Sequence, residues 1–243
     1  MQNNPIGVFD SGVGGTTILK DVQTYLPHED FVYFGDSKNC PYGDKTAEEL
    51  MKIVREATEF LLTKNVKMII VACNTATTRT IEYLRETFPD ISFIGTEPAV
   101  KPACDEKFEN IFVLATEGTV RSERLHFLIE RNKKSYQTVT VFPLPGLAEA
   151  IEKNNRAKIN NCLSTITREY SEEMLEKVDS VVLGCTHYPI VSKKFEAIFP
   201  NAEFFDSGEG VAHQVKRVLS RRDLLSTRKT KGEIQFFFSK KRK

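Results

Sequence analysis

The sequence lacks a long apolar run, a leader segment and any large excess of charge of one sign. No window of the 243 residues approaches the ~20 consecutive apolar residues that cross a bilayer. The first five residues show neither the basic nor the apolar part of a secretion signal. The formal net charge is +1, which argues against a dedicated polyanion binder. These absences predict a cytoplasmic protein with no nucleic-acid or membrane partner.

Cysteines are few, and the common cofactor motifs are missing. The five cysteines are odd in number and show no CxxC spacing, so neither a disulfide framework nor a structural zinc site is indicated. No GxxxxGK[ST] and no complete GxGxxG motif occurs, and no strong cue marks a pyridoxal lysine. We therefore expect reduced thiols and no metal or organic cofactor.

Basic residues are unevenly distributed along the chain. Residues 216–243 hold eleven of the 34 basic but only two of the 33 acidic residues, which leaves the first 215 residues with a balance of −8. A basic run of this kind is usually a solvated end, and an anionic partner is the less common alternative.

Two apolar runs of strand length end abruptly in chemically active residues. Residues 180–184 lead into Cys185, Thr186 and His187, and residues 68–72 lead into Cys73, Asn74 and Thr75. Open α/β sheets build ligand sites at the carboxyl ends of parallel strands. The two corners therefore predict a single site with two sulfurs.

The order of elements predicts two similar halves. Asp10 follows a strand and lies 63 residues before Cys73, and Thr116 follows a strand and lies 69 residues before Cys185. This repeat predicts two similar α/β lobes with mainly parallel sheets, related by pseudo-twofold symmetry, with the active site in the cleft between them. The predicted lobes are residues 1–97 plus 208–243, and residues 98–207.

Several helices of the second half are predicted as long, continuous elements. The turn at Thr116 is expected to lead into one helix ending near Arg131, residues 159–177 are expected to form one helix, and a helix is expected to follow Cys185 as far as Phe199. Glu149 is either a cleft residue or an exposed carboxylate, of which the second is commoner.

Two thiols at helix starts favour proton transfer over nucleophilic catalysis. The first turn of a helix lowers a thiol pKa from about 8.5 toward neutrality, where the group can both take and give a proton. A nucleophilic cysteine enzyme could use Cys185 with His187, but Cys73 would then be idle. Two opposed acid/base groups suit racemisation, which removes a proton from one face of a carbon and returns one to the other. Cys40, Cys104 and Cys162 are assigned no role, since most free cysteines are small buried hydrophobes.

Five ordered motifs carry a resemblance to a known family. They are Asp10-Ser-Gly-Val-Gly-Gly15, Pro41-Tyr-Gly43, Ala72-Cys-Asn-Thr75, Gly118-Thr-Val120 and Gly184-Cys-Thr-His187. Together they resemble the glutamate racemases among the cofactor-independent amino-acid racemases. The resemblance implies two α/β lobes with the substrate between them, and conversion of L-glutamate to D-glutamate for bacterial peptidoglycan precursors.

The resemblance also implies roles for individual residues. Cys73 would take the α-proton of D-glutamate and Cys185 that of L-glutamate, with Asp10 and His187 assisting. The implied substrate contacts are Asp10, Ser11, Tyr42, Gly43, Asn74, Thr75, Thr119, Thr186 and His187. These residues suit a dicarboxylate with an ammonium group, which needs hydroxyl and N–H donors for its oxygens and an acceptor for its nitrogen.

The sequence departs from the family pattern in two places. Lys38-Asn-Cys40 stands before Pro41, where the family often has an arginine two residues before the proline. The chain ends after Phe236-Phe-Phe-Ser-Lys-Lys-Arg-Lys243, where family members usually add a helix. We therefore expect some apolar surface to be covered by a second copy in a homodimer.

Two alternatives to a glutamate racemase stay open. One is a racemase of the same fold that acts on aspartate or another amino acid; the shorter side chain of aspartate would leave room in a glutamate pocket. The other is a catalytically silent binding module, against which the two intact cysteine corners speak.

Overall fold

The computed structural model describes residues 1–239 of the chain. The chain divides into two compact units, of which unit 1 combines Met1–Thr96 with the segment that begins at Gly208, and unit 2 is Glu97–Ser207. The last four residues of the basic tail, 240–243, lie outside the described residues. None of the helices in the described part has both the length and the apolar character that a bilayer crossing requires.

Unit 1 is a five-stranded parallel sheet with helices on both faces. The strands lie in the order β4-β3-β1-β2-β9. They are β1 (Ile6–Asp10), β2 (Phe31–Gly35), β3 (Met68–Val71), β4 (Phe93–Gly95) and β9 (Ile234–Phe238). The helices are α1 (Thr16–Tyr25), α2 (Ala47–Leu62), α3 (Asn74–Thr87) and α11 (Gly208–Arg221).

Strand β3 shows why the sequence signal of unit 1 is a continuous apolar run. Met68 and Ile70 pack in one core cluster with α1 and α11, whereas Ile69 and Val71 pack in a second cluster with α2 and α3. Successive side chains of a strand point to opposite faces, and both faces of this sheet are covered by helices. All four residues are therefore apolar, as expected for a buried parallel strand.

Unit 2 is a four-stranded parallel sheet in the order β6-β5-β7-β8. Its strands are β5 (Asn110–Ala115), β6 (Thr138–Pro143), β7 (Ser180–Gly184) and β8 (Glu203–Phe205). Its helices are α4 (Val100–Asp105), α5 (Glu117–Val120), α6 (Glu123–Asn132), α7 (Leu147–Glu152), α8 (Arg156–Glu169), α9 (Glu172–Glu176) and α10 (Ser192–Glu196).

The two sheets share one strand order. In unit 1, β1 lies between β2 and β3, with β4 outside β3; in unit 2, β5 lies between β6 and β7, with β8 outside β7. Strand β9 is an addition to the first sheet. Each cysteine corner thus follows the equivalent strand, β3 or β7. The prediction of two similar α/β lobes with mainly parallel sheets is confirmed.

Two helix predictions for unit 2 are wrong because serine and proline interrupt the helices. The expected helix over 159–177 ends at Glu169, and a new one begins where the Ser171 side chain accepts a hydrogen bond from the Met174 N–H. The helix expected to follow the Thr116 turn and to end near Arg131 is confirmed as α6, which Ser122 caps; the turn itself contains the four-residue α5. Serine favours the N-cap because its side-chain oxygen accepts from the backbone of the next turn.

The second correction concerns Cys185. No continuous helix follows it; the chain forms a 3-10 turn over Tyr188–Val191 and then the five-residue α10. Pro189 lacks a backbone N–H and restricts the residue before it. The expectation that Cys185 occupies the first turn of a helix, like Cys73, is therefore wrong.

Candidate active site

The end of β1 forms a tight turn around a buried carboxylate. Asp10 is fully buried, and its Oδ2 accepts a hydrogen bond from the Gly12 N–H at 3.0 Å. A side chain at Gly15 would place its Cβ 2.5 Å from Asp10 Cβ, so only glycine fits there. Gly15, rather than Asp10, is the N-cap residue of α1. Asp10 therefore does not cap α1.

The Cys73 corner, defined as Cys73, Asn74 and Thr75, lies at the same edge of the sheet. Cys73 is the N-cap residue of the fourteen-residue α3, and all three side chains are buried. The thiol thus lies at the positive end of a helix, as predicted. Asn74 Oδ1 is buried and has no hydrogen-bond partner among residues 1–239. A buried acceptor without a partner is costly unless a ligand supplies the donor.

Residues 36–43, which we call the Asp36 loop, bring a tyrosine to the same place. Tyr42 is buried, and its hydroxyl donates to Asp36 Oδ2 at 2.9 Å. Burial, the Asp36 carboxylate and the charges of Cys73 and Asp10 all raise the pKa of Tyr42 well above its usual value. Four side chains of unit 1 therefore lie near one another, and the Tyr42 hydroxyl is already engaged.

Asp36 was missed by the reasoning from sequence. It is buried, its two carboxylate oxygens accept from Asn39 Nδ2 at 3.1 and 2.9 Å, and its N–H donates to Asp10 O at 2.9 Å. A usable signal was present, because Asp36 directly follows β2 as Asp10 ends β1.

In unit 2, a histidine connects the second cysteine to a buried carboxylate. His187 Nδ1 lies 3.9 Å from Cys185 Sγ, and His187 Nε2 lies 3.0 Å from Glu152 Oε2. The side chains of His187 and Glu152 are only 1% and 9% exposed, so this chain of contacts is screened from water. We call Cys185, Thr186 and His187 the Cys185 corner.

Glu152, at the end of α7, was also missed from the sequence. Its neighbour Glu149 instead forms ion pairs with Lys153 at 2.6 Å and Lys158 at 2.5 Å. Hydrogen bonds from these two lysines lower the pKa of Glu149 to about 2. Glu149 is thus an ordinary surface carboxylate, and no spacing in the sequence distinguishes it from Glu152.

The remaining predicted contacts of unit 2 lie at the same sheet edge. Ala115 and Gly184 are register partners on adjacent strands, so the turn after β5 and the Cys185 corner are neighbours. Thr119 is fully buried there, and its Oγ1 accepts a hydrogen bond from Thr116 Oγ1 at 3.1 Å. Thr186 is buried as well.

Cys40, Cys104 and Cys162 are not part of the two cysteine corners as defined above. No disulfide joins any of the five cysteines in the described part of the chain. Burial raises the pKa of Cys104 and of Cys162, which keeps both thiols protonated. Cys40 is half-buried on the Asp36 loop.

The sequence profile of the Asp/Glu/Hydantoin racemase family matches residues 17–215. The chain belongs to this family. Its membership in the aspartate/glutamate racemases was predicted from the five motifs, and the prediction is confirmed. The protein is therefore placed among racemases, a class of isomerases.

Curated members of the racemase family match almost the whole chain. A glutamate racemase of Herpetosiphon aurantiacus is 41% identical over 241 residues, which are 98% of this chain and 94% of the relative. A glutamate racemase of Clostridium novyi is 42% identical over 239 residues, 97% of this chain and 91% of the relative.

Solved racemase structures share the fold. A glutamate racemase of Bacillus anthracis matches with a TM-score of 0.83 at 28% identity, covering 99% of this chain and 90% of that one. The Escherichia coli glutamate racemase, solved with L-glutamate and an activator, matches with a TM-score of 0.81 at 29% identity over 95% and 89% of the two chains. An aspartate racemase of Picrophilus torridus, at a TM-score of 0.60 and 15% identity, shows likeness of fold alone.

Proposed function

We propose that this protein is a glutamate racemase that uses two cysteines as acid and base without a cofactor. The observation that carries the proposal is the repetition of a thiol after β3 and after β7, the equivalent strands of two sheets with one strand order. Relatives named glutamate racemase at about 40% identity over the full chain support the choice of substrate.

In the proposed reaction, one cysteine removes a proton from the α-carbon and the other cysteine donates a proton to it. When L-glutamate is bound, Cys185 as thiolate takes the α-proton, and the electron pair remains on the carbon and its carboxylate. Cys73 as thiol then donates its proton to the opposite face, which gives D-glutamate and leaves Cys73 as the thiolate. The reverse reaction exchanges the two roles, so the protein ends each turnover with one thiol and one thiolate.

Glu152 and His187 prepare Cys185 for this role. An ionised Glu152 accepts a hydrogen bond and therefore favours the tautomer with the proton on His187 Nε2. Nδ1 then carries the lone pair that faces Cys185 Sγ and can receive the thiol proton. Positioned proton transfer of this kind contributes about 10²–10⁴-fold to a rate.

The predicted contacts offer hydrogen-bond donors to the carboxylates of glutamate and an acceptor to its ammonium group. The hydroxyls of Ser11, Thr75, Thr119 and Thr186 suit the carboxylate oxygens. Asn74 Oδ1, buried and without a partner among residues 1–239, suits the ammonium group. Because the Tyr42 hydroxyl is engaged by Asp36, we assign the contact of residues Tyr42 and Gly43 to their backbone.

Initial rates with L-glutamate and L-aspartate, followed by polarimetry, test the proposal. We expect glutamate to be racemised faster by orders of magnitude. Faster turnover of aspartate would overturn the substrate assignment. Amino-acid binding in a calorimeter without turnover of either substrate would show a silent binding module instead.

The biological setting forms part of the same proposal. D-glutamate made by this enzyme would enter bacterial peptidoglycan, and catalytic cysteines that must stay reduced suit the reducing cytoplasm. Expression of the chain should rescue growth of a bacterium that requires added D-glutamate, and racemase activity should fractionate with the cytoplasm. Failure to rescue by a soluble, active enzyme would contradict this assignment.

We further propose a homodimer. Phe236 is 52% exposed on β9, the outermost strand of its sheet, and an edge strand with an exposed apolar side chain favours association. Sedimentation should give twice the 27.6 kDa of one chain, and a monomer at working concentration would refute the proposal.

A further inference from the structure

The last strand of the chain lies against the elements that carry the unit 1 contacts. Strand β9 pairs in parallel with β2, and Phe238 is the register partner of Gly35. Gly35 directly precedes Asp36, the first residue of the Asp36 loop. The end of β9 is therefore adjacent to the beginning of this loop.

Ser239, directly after β9, bridges to the Asp36 loop through two hydrogen bonds. The Ser239 N–H donates to Gly35 O at 3.1 Å, and Ser239 Oγ accepts from the Lys38 N–H at 2.9 Å. The first of these bonds continues the pairing of β9 with β2, whereas the second depends on the serine side chain. Ser239 thus fixes the backbone on both sides of Asp36.

Phe238 supports the same region from within the unit. A Cβ at Gly35 would lie 2.6 Å from two carbons of the Phe238 ring and 2.7 Å from Gly12 O. Tyr33, whose ring centroid lies 6.1 Å from that of Phe238, donates its hydroxyl to Gly12 O at 2.6 Å. The end of β9 therefore packs on Gly35, directly before the Asp36 loop, and Gly35 and Tyr33 in turn lie against Gly12 O.

We infer that Ser239 is a positioning residue for substrate binding, which it serves by ordering the Asp36 loop. The inference rests on the proposed function, since the loop carries the predicted substrate contacts Tyr42 and Gly43. Ser239 belongs to none of the family motifs in the sequence. Its side chain contacts the loop at the backbone N–H of Lys38. Its loss should therefore weaken binding of glutamate and leave the two cysteines in place.

Three single variants of the full-length protein test this inference. Ser239→Ala removes the side-chain acceptor, and Ser239→Thr keeps a hydroxyl at the same position. Ser226→Ala is the matched control, because Ser226 lies on the same C-terminal segment and its hydroxyl donates to Asn3 Oδ1 at 3.2 Å, before the start of β1. For each variant, KM and kcat for L-glutamate are measured together with amide hydrogen exchange in the peptide that covers residues 36–41.

Loss of one hydrogen bond corresponds to roughly a 2- to 10-fold change in an equilibrium. We expect Ser239→Ala to raise KM by this factor, to keep kcat within about twofold, and to speed amide exchange in the loop by a similar factor. Ser239→Thr should restore both values, and Ser226→Ala should change neither.

Two results would overturn the inference. Unchanged exchange in Ser239→Ala would show that the serine does not order the loop, and faster exchange with unchanged KM would show that this order does not serve binding. If the wild-type protein failed to racemise glutamate, the proposed function would fall, while the exchange measurement would still decide whether Ser239 orders the loop.

Discussion

Replacing Glu152 with glutamine tests whether this carboxylate sets the state of His187. The amide of Glu152→Gln can turn its NH₂ group toward His187 Nε2 and donate a hydrogen bond. The imidazole would then carry its proton on Nδ1, which faces Cys185 Sγ at 3.9 Å. In that tautomer, Nδ1 cannot accept the thiol proton.

The size of the effect follows from the burial of the pair. The Nε2–Oε2 distance is 3.0 Å, and the two side chains are 1% and 9% exposed, so solvent does not replace the lost interaction. Hydrogen bonds to charged groups contribute about 1.5–3 kcal/mol. If this energy is lost in the transition state, kcat/KM falls roughly 10- to 150-fold.

The assay needs to separate the two cysteines. Because the enantiomers have equal free energy, kcat/KM must fall equally in both directions, and racemisation alone cannot identify the affected side. Uptake of solvent deuterium at the α-carbon without inversion can do so. We expect Glu152→Gln to slow exchange into L-glutamate, which depends on Cys185, more than exchange into D-glutamate, which depends on Cys73.

Glu149→Gln is the matched control on the same helix. Glu149 is paired with the surface lysines Lys153 and Lys158, so its replacement should leave both exchange rates unchanged. If Glu152→Gln kept near wild-type kcat/KM, or if Glu149→Gln lost as much activity, the relay through His187 would be refuted.

Three further predictions concern the cysteines, a buried ion pair and metal independence. Cys73→Ala and Cys185→Ala should each lower the rate of racemisation by at least about 10²-fold. Each variant should keep slow deuterium exchange into the enantiomer served by its surviving thiol, whereas Cys162→Ala should change neither the racemisation rate nor the exchange rates. Racemisation at near the wild-type rate by Cys73→Ala or Cys185→Ala would refute the two-base mechanism. Glu29→Gln should lower the free energy of unfolding in urea by about 3–5 kcal/mol, because it would leave Lys67 buried without its counter-ion. Lys67 Nζ lies 2.5 Å from Glu29 Oε2, and both side chains are at most 3% exposed. An unchanged unfolding midpoint would contradict this prediction. Activity should survive dialysis against a chelator, and the pure protein should show no absorbance bands of pyridoxal phosphate or flavin; activity that vanished on dialysis and returned with a divalent cation would reveal a metal.

Local signals in the sequence were sufficient to predict most helices and strands of unit 1. The capping box at Thr46 and Glu49 is formed by reciprocal hydrogen bonds of 3.2 and 2.8 Å, and it begins α2 at a spacing that the sequence itself displays. Apolar runs such as residues 68–71 became buried parallel strands. These features depend on residues within a few positions of each other, so sequence spacing records them.

The sequence could not predict how the chain after Cys185 is arranged. Apolar spacing there fits a helix, yet Pro189 and local packing give a 3-10 turn and a short α10. The division of residues 159–177 has a similar origin, because Tyr170 takes an extended conformation. Its ring lies 5.1 Å from that of Phe112 and 5.8 Å from that of Phe142, and such contacts with distant strands outweigh helix propensity.

The sequence by itself determined the fold class, the family and the two cysteine corners, because a strand followed directly by a reactive residue is a local pattern. Only the tertiary structure identified Glu152, which is one carboxylate among 33 acidic residues. Glu152 reaches His187 across 35 positions, and Ser239 reaches Lys38 across 201 positions. Contacts between residues so far apart arise from the packing of whole elements, and no spacing within either segment encodes them.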